Sequence, residues 1–232
     1  MASLPLGGPE MGCSGGSCSS CSSCSTGDGR DDNELPPGML DRYSLDQSVA
    51  DGALVWLEVY HCPDGARISD ASMQVLDEVC RINKGRTFAV LFGGPELKSL
   101  YPKIFGCGVG SIYHVRDKDS ECYDSNVYSI TLCDIIDRVS PAVVAMAATE
   151  RGDQLGQKIS SMLGVDLNAG CAKIMMDGRA LTTEPAPLNQ FMISRRNKFP
   201  QVATIKIDSY PTPEPKDGQG TAIYWQTWKD HS

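Results

Sequence analysis

Residues 141–171 read PAVVAMAATERGDQLGQKISSMLGVDLNAGC, and the fold follows from how this stretch divides. Val143, Val144, Ala145, Met146 and Ala147 form a short apolar run without a charge, the pattern of a strand covered on both faces in a parallel sheet. A helix is predicted directly after it. Thr149 stands where an N-cap belongs, Asp153 puts a carboxylate in the first turn, and Leu155, Ile159, Met162 and Leu163 recur on one helical face. Gly164 is the expected stop. Strand, turn, helix and return make one unit of a doubly wound α/β sheet, and the turn lies at the carboxyl end of the strand, where such sheets bind ligands or partners.

Upstream, the same unit recurs. Ala53 to Tyr60, ALVWLEVY, is predicted as the first strand, followed by a turn over His61 to Arg67. Ile68 to Asn83 reads as a helix capped by Ser69, with Met73, Leu76, Val79, Cys80 and Ile82 as its apolar stripe and Gly85 closing it. Thr87 to Phe92 is the second strand, and Gly93-Gly94-Pro95 turns the chain. Leu97, Leu100, Tyr101 and Ile104 make a short helical face ended by Gly106, Ile112 to Val115 another strand, and Val127 to Val139 another helix. Strands alternating with helices over short connections imply a parallel sheet. After Cys171 the rhythm changes. Ala172–Met176, 178–181, 188–194 and 202–207 read as short strands with polar turns, which predicts an antiparallel extension.

The central stretch, read as A-T-x-R-G-x-x-L-x-x-K-I-x-x-x-L-G-x-x-L-x-A-x-C, resembles the corresponding segment of the electron transfer flavoprotein alpha subunit. The resemblance extends from about Ala53 to Ser209. Trp56-Leu57-Glu58 resembles the family's first strand, which ends in Glu; Thr87 to Gly93 fits its second strand and turn; Pro200 to Ile205 is similar to its later strand segment. The resemblance implies a doubly wound parallel sheet of the adenine-nucleotide-hydrolase-like kind, with the antiparallel extension at the C-terminal side. Three positions depart from the pattern. The family's arginine after the glycine is Asp153, with Arg151 instead before the glycine, and an acidic residue ahead of Ile112 is replaced by Gly110. The family's second domain, where a serine, an arginine and a glycine-rich turn cradle FAD, has no counterpart; the sequence runs instead into Pro211, Pro213 and Pro215. This division gives a Cys-rich segment and linker over 1–48, the α/β domain over 49–209 and a tail over 210–232, in which Trp225 and Trp228 are an aromatic pair suited to an interface or to packing on the domain.

Composition narrows the function. Of 232 residues, 29 are acidic and 21 basic, a net charge of −8 that argues against tracking nucleic-acid phosphates or anionic lipid. No apolar run is long enough to insert in a membrane, and the first residues have neither the basic start nor the apolar core of a signal peptide, so a cytoplasmic protein is expected. Residues 1–48 show almost no apolar periodicity, and their order is expected to come from a metal or to be absent. Within them Cys13, Cys18, Cys21 and Cys24 follow C-x4-C-x2-C-x2-C, four thiolates of the kind a [4Fe-4S] cluster requires. Zinc is the competing metal, although it more often takes two separated C-x2-C knuckles. A Ser/Gly/Cys tail with incidental thiols is the third reading.

Cys62, Cys80, Cys107, Cys122, Cys133 and Cys171 form no ligand spacing and are expected to be core thiols, and His61, His114 and His231 show no nucleophile-and-base pattern and are expected to be structural. The turns at Gly93-Gly94-Pro95 and Thr149 to Gly152 offer helix N-termini for a phosphate but contain neither G-x-G-x-x-G nor a Walker sequence. The resemblance implies an electron-transfer subunit that docks to a beta-type subunit and turns over no substrate alone, with an acyl-CoA dehydrogenase or other reductase as outer partner. FAD is then expected only in the assembled complex. Two alternatives of other classes are a stand-alone nucleotide-binding protein using those turns and a structural interaction subunit without metal.

Overall fold

In the computed structural model, the described residues are Tyr43, 46–62, 65–116, 122–185, 192–193, 198–206, 210–211, 213 and 217–227. All belong to one compact unit, 35–232; Cys13, Cys18, Cys21, Cys24 and Trp228 lie outside the described residues. Among the described residues, eleven strands and four α-helices follow in chain order: β1 (Ala53–Trp56), β2 (Val59–Cys62), β3 (Gly65–Ile68), α1 (Asp70–Ile82), β4 (Thr87–Phe92), a 3-10 turn (Pro95–Leu100) running into α2 (Tyr101–Gly106), β5 (Ser111–Val115), α3 (Ser125–Val139), β6 (Val143–Ala147), α4 (Glu150–Leu163), β7 (Leu167–Asp177), β8 (Ala180–Pro185), β9 (Met192–Ile193), β10 (Gln201–Ile205) and β11 (Thr221–Trp225).

Nine strands make one sheet in the order β11-β5-β4-β1-β6-β10-β7-β8-β9. From β11 to β7 every pairing is parallel; β7-β8 and β8-β9 are antiparallel. The doubly wound sheet with an antiparallel extension is therefore as the sequence predicts. Each central strand serves two cores by alternation. Ala53, Val55, Ala89 and Leu91 pack against Met73, Leu76 and Val79 of α1, whereas Leu54, Trp56, Val90 and Phe92 belong with Ile135 and Ile136 of α3 and Leu155, Ile159 and Met162 of α4. Helices on both faces explain why β1, β4 and β6 read as unbroken apolar runs.

Helix ends obey the caps in the sequence. Ser69 Oγ accepts from Ser72 N–H, Asp124 from Asn126 and Val127, and Thr149 from Gly152. Gly164 takes the left-handed conformation (φ 60°) that ends α4, and its N–H reaches back to the Ser160 and Ser161 carbonyls.

Three segments differ from expectation. Ala53 to Tyr60 is not one strand: it breaks after Trp56, and β2 turns off to pair antiparallel with β3 in a separate hairpin. The apolar run continues past the break, so hydrophobicity alone does not mark it. β10, expected within the antiparallel extension, instead inserts between β6 and β7 and runs parallel to both. Its residues are buried throughout, as a strand covered on both faces requires. Thr221–Trp225, expected as tail, is the edge strand beside β5, with Trp225 edge-on to Tyr113 at 6.0 Å.

Candidate functional site

β1 is the point where the chain changes direction across the sheet. The connection through α1 leads to β4 on one side, and after β5 the connection through α3 returns to β6 on the other. A crevice opens outside the carboxyl ends of strands at such a point. Here it has a volume of roughly 400 Å³ and is lined from β1 and its continuation (Trp56, Leu57, Glu58), β2, the end of β4, the segment before α3 and the first turn of α4.

Its floor is acidic and its walls aromatic. Glu58 follows β1 and is 2% exposed. Its backbone N–H donates to Ser72 Oγ (3.0 Å) and its carbonyl accepts from Ser69 N–H (2.8 Å), so both main-chain groups are held by the start of α1. The carboxylate meets a cation, with Arg151 Nη1 lying 3.7 Å from Glu58 Oε1. Among the described residues, Glu58 Oε2 and the indole Nε1 of Trp56 are buried without a hydrogen-bond partner. Phe92 stacks on Tyr128 at 3.9 Å, Tyr128 meets Tyr123 edge-on at 5.1 Å, and Tyr123 lies 6.4 Å from Trp56.

Arg151 ties the walls together. Its guanidinium sits 5.0 Å from the Tyr123 ring and 5.7 Å from that of Tyr60, within cation–π range. The Tyr123 hydroxyl lies 3.2 Å from the Arg151 carbonyl and 3.0 Å from Gln154 Oε1. Burial pushes the Tyr123 phenol up to about 12, and burial with the neighbouring Glu58 raises that of Tyr60, so both remain hydroxyls at neutral pH. Gly152, next to Arg151, brings α4 onto the end of β6: a Cβ there would stand 2.0 Å from the Ala147 carbonyl oxygen. The rearranged charge around this glycine thus sends an arginine, rather than an aspartate, across to Glu58.

The sequence-predicted turns fare differently as phosphate sites. Gly93-Gly94-Pro95 opens a 3-10 turn and not an α-helix. Thr149 to Gly152 does open α4, but Glu150 and Asp153 occupy its first turn and disfavour an anion. The described residues therefore do not fit the pyrophosphate of a flavin or dinucleotide. His114 is structural: its fully buried ring lies 3.0 Å from the Gly93 carbonyl through Nε2 and bonds the Tyr101 hydroxyl through Nδ1, and burial lowers its pKa. His61 meets Glu96 at 3.8 Å on the surface. Of the cysteines expected in the core, Cys133 and Cys171 are buried and Cys80 and Cys107 half-buried, but Cys62 and Cys122 are exposed. Burial drives the thiols of Cys80 and Cys171 up to about 12 and about 11, which leaves them inert near neutrality. Among the described residues no three His, Cys, Asp or Glu side chains cluster as a metal site, and no helix is long and apolar enough to cross a membrane.

Sequence reasoning placed Glu58 and Arg151 in segments of interest without pairing them. Tyr60, Tyr123 and Tyr128 carried no signal, because they come from a hairpin, a loop and a helix that meet only in the fold.

Comparison with known proteins accords with this architecture. A family model for the electron transfer flavoprotein domain matches residues 61–227, from β2 through the edge strand β11. The chain belongs to the electron transfer flavoprotein domain family. It is similar to the electron transfer flavoprotein subunit alpha of Megasphaera elsdenii, 24% identical over 155 residues, 64% of this chain and 46% of that protein. It is also similar to Protein FixB of Clostridium saccharobutylicum, 25% identical over 166 residues, 68% of this chain and 49% of that protein. A shorter match, 23% over 94 residues, covers 40% of this chain and 26% of the acryloyl-CoA reductase electron transfer subunit beta of Anaerotignum propionicum. The chain spans about half the length of the alpha-subunit and FixB relatives. The family match agrees with the resemblance in the sequence, and two of these relatives carry the alpha-subunit or FixB name.

Proposed function

We propose that the chain acts as an alpha-type subunit in a flavoprotein electron-transfer complex, docking to a beta-type subunit and catalysing no reaction alone. The observation that carries this reading is the family match across 61–227, joined to relatives named as alpha subunits. FAD is held only in the assembled complex. The first turn of α4 beside the crevice carries Glu150 and Asp153, which disfavour a pyrophosphate there. The complex works in the cytoplasm with an acyl-CoA dehydrogenase or another reductase as its outer partner. The test is co-expression with a beta-type subunit. A heteromer carrying flavin, beside an isolated chain that binds none, is the expected result; stoichiometric FAD on the isolated chain, or two proteins that never associate, would overturn the reading.

Cys13, Cys18, Cys21 and Cys24 would hold a [4Fe-4S] cluster that relays single electrons to the flavin of the complex. The support is their spacing, C-x4-C-x2-C-x2-C, and the match of four thiolates to a cubane. Because this segment has no apolar periodicity of its own, metal binding supplies its ordering free energy, and loss of one ligand weighs heavily. Iron and sulfide analysis with EPR after anaerobic reconstitution decides the matter. About four irons per chain, falling sharply in Cys21→Ser with unchanged circular dichroism, is expected; absent iron favours a structural subunit without metal, and one bound zinc favours the other metal.

A further inference from the structure

We propose that the outer edge of β11 pairs with an extended segment of a partner protein in which acidic and apolar residues alternate. β11 ends the nine-stranded sheet, and among the described residues no strand lies beyond it. The Trp225 carbonyl accepts from Arg116 N–H, so Thr221, Ile223 and Trp225 turn their main-chain groups toward β5. Ala222 and Tyr224 therefore present N–H and C=O to the open side, the template that an added strand uses.

Charge on one face selects the partner. Tyr224 is 52% exposed, and two cations converge on its ring: the Arg116 guanidinium at 4.7 Å and Lys98 Nζ at 5.6 Å. Among the described residues neither cation is ion-paired to a carboxylate. In a chain of net charge −8, two like charges held together without an acid mark a place complementary to one. The opposite face is apolar, because Ile223 and Trp225 are half-buried and pack against the core that contains α3. Side chains alternate across a strand, so a segment laid beside β11 puts every second residue next to Tyr224 and the others next to Ile223 and Trp225. Carboxylates suit the first set and apolar side chains the second. A second copy of the same edge fits worse, since antiparallel self-pairing brings Lys98 and Arg116 toward their own counterparts. This inference does not depend on the subunit assignment.

The experiment is fluorescence anisotropy of the full chain with a labelled Val-Glu-Val-Glu-Val-Glu-Val peptide, its Gln counterpart, and two forms N-methylated either at the valines or at the glutamates. The acidic peptide is expected to bind at least about tenfold more tightly than the Gln form, the scale of several exposed ion pairs. Its affinity should fall as salt rises from about 0.1 M to about 1 M, which shortens the screening length from about 10 Å to about 3 Å. In strand pairing only alternate peptide N–H groups face β11, so one methylated form should lose binding and the other keep it. Lys98→Ala and Arg116→Ala should each weaken binding about two- to fivefold with unchanged circular dichroism. No binding at millimolar peptide, equal binding of the Gln form, or binding by both methylated forms would each overturn the proposal. So would a dimer of the chain whose formation blocks the peptide, which gives this edge to a second copy. The peptide series on the unmodified chain decides alone if a variant fails to fold.

Discussion

Glu58 Oε1 lies 3.7 Å from Arg151 Nη1, an ion pair that joins the residue range just beyond β1 to the first turn of α4 across the carboxyl edge of the sheet. The two partners differ in environment: the Glu58 side chain is 3% exposed and that of Arg151 42%. A buried carboxylate facing a half-exposed cation at this distance is held as much by geometry as by charge. The pair therefore fixes the relation of two strand-helix units at the mouth of the crevice.

Removing the cation tests that role. Arg151→Ala leaves Glu58 buried without its charge partner and strips a packing surface from Tyr123 and Tyr60. The penalty for breaking a fully buried pair is reduced here by the exposure of Arg151 and the length of the contact, so a loss of about 1–2 kcal/mol is expected in urea unfolding. Arg151→Ala made in the Glu58→Gln background should cost less than in the native chain, since no buried charge is then abandoned.

Gly152 is a packing requirement. With a Cβ position 2.0 Å from the Ala147 carbonyl oxygen, Gly152→Ala forces the first turn of α4 off the end of β6. A destabilisation of about 2–3 kcal/mol is expected, measured as a shift in denaturation midpoint with unchanged m-value. The same substitution at Gly178, where a Cβ meets nothing within 4 Å but φ is 58°, should cost about 1 kcal/mol from backbone strain alone.

His114 gives a pH dependence whose direction can be worked out. Burial lowers its pKa from the ordinary 6.5, with Arg116 acting in the same direction and Glu96 and the Gly93 carbonyl against it. The unfolded chain therefore takes up a proton near pH 6.5 that the folded chain refuses until lower pH. The contribution of neutral His114 is complete above that value, diminishes as pH falls, and is gone below the folded pKa. NMR titration should place the His114 midpoint below the ordinary histidine value of 6.5. A midpoint at or above the ordinary value would contradict the buried neutral ring.

The edge strand β11 predicts the outcome of a truncation. If residues 219–232 were a tail, their removal would leave stability unchanged. Since Thr221–Trp225 pairs with β5 along its length and Trp225 packs on Tyr113, removal should cost at least about 2 kcal/mol. It should also promote aggregation through the bared β5 edge, measured by light scattering.

The sequence by itself determined the alternating strand-helix order, the caps at Ser69, Thr149 and Gly164, and the family, because these are local: a period of hydrophobicity, a side-chain oxygen near free N–H groups, a glycine after a helix. What it left open needed contacts between distant segments. Val59–Cys62 looks like a continuation of β1 and becomes a hairpin because pairing with Gly65–Ile68 satisfies its backbone outside the main sheet. Gln201–Ile205 reads as one more short strand after three others, yet β6 and β7 together offer it a place buried on both faces. The crevice was the least legible feature. Trp56 and Glu58 are two residues apart and visible in any reading, but Tyr123 and Arg151 reach them only because the doubly wound topology brings the loop before α3 and the start of α4 to the same edge of the sheet. A one-dimensional pattern records which residues prefer burial; which distant side chains meet at the carboxyl edge of the sheet is decided by the tertiary fold.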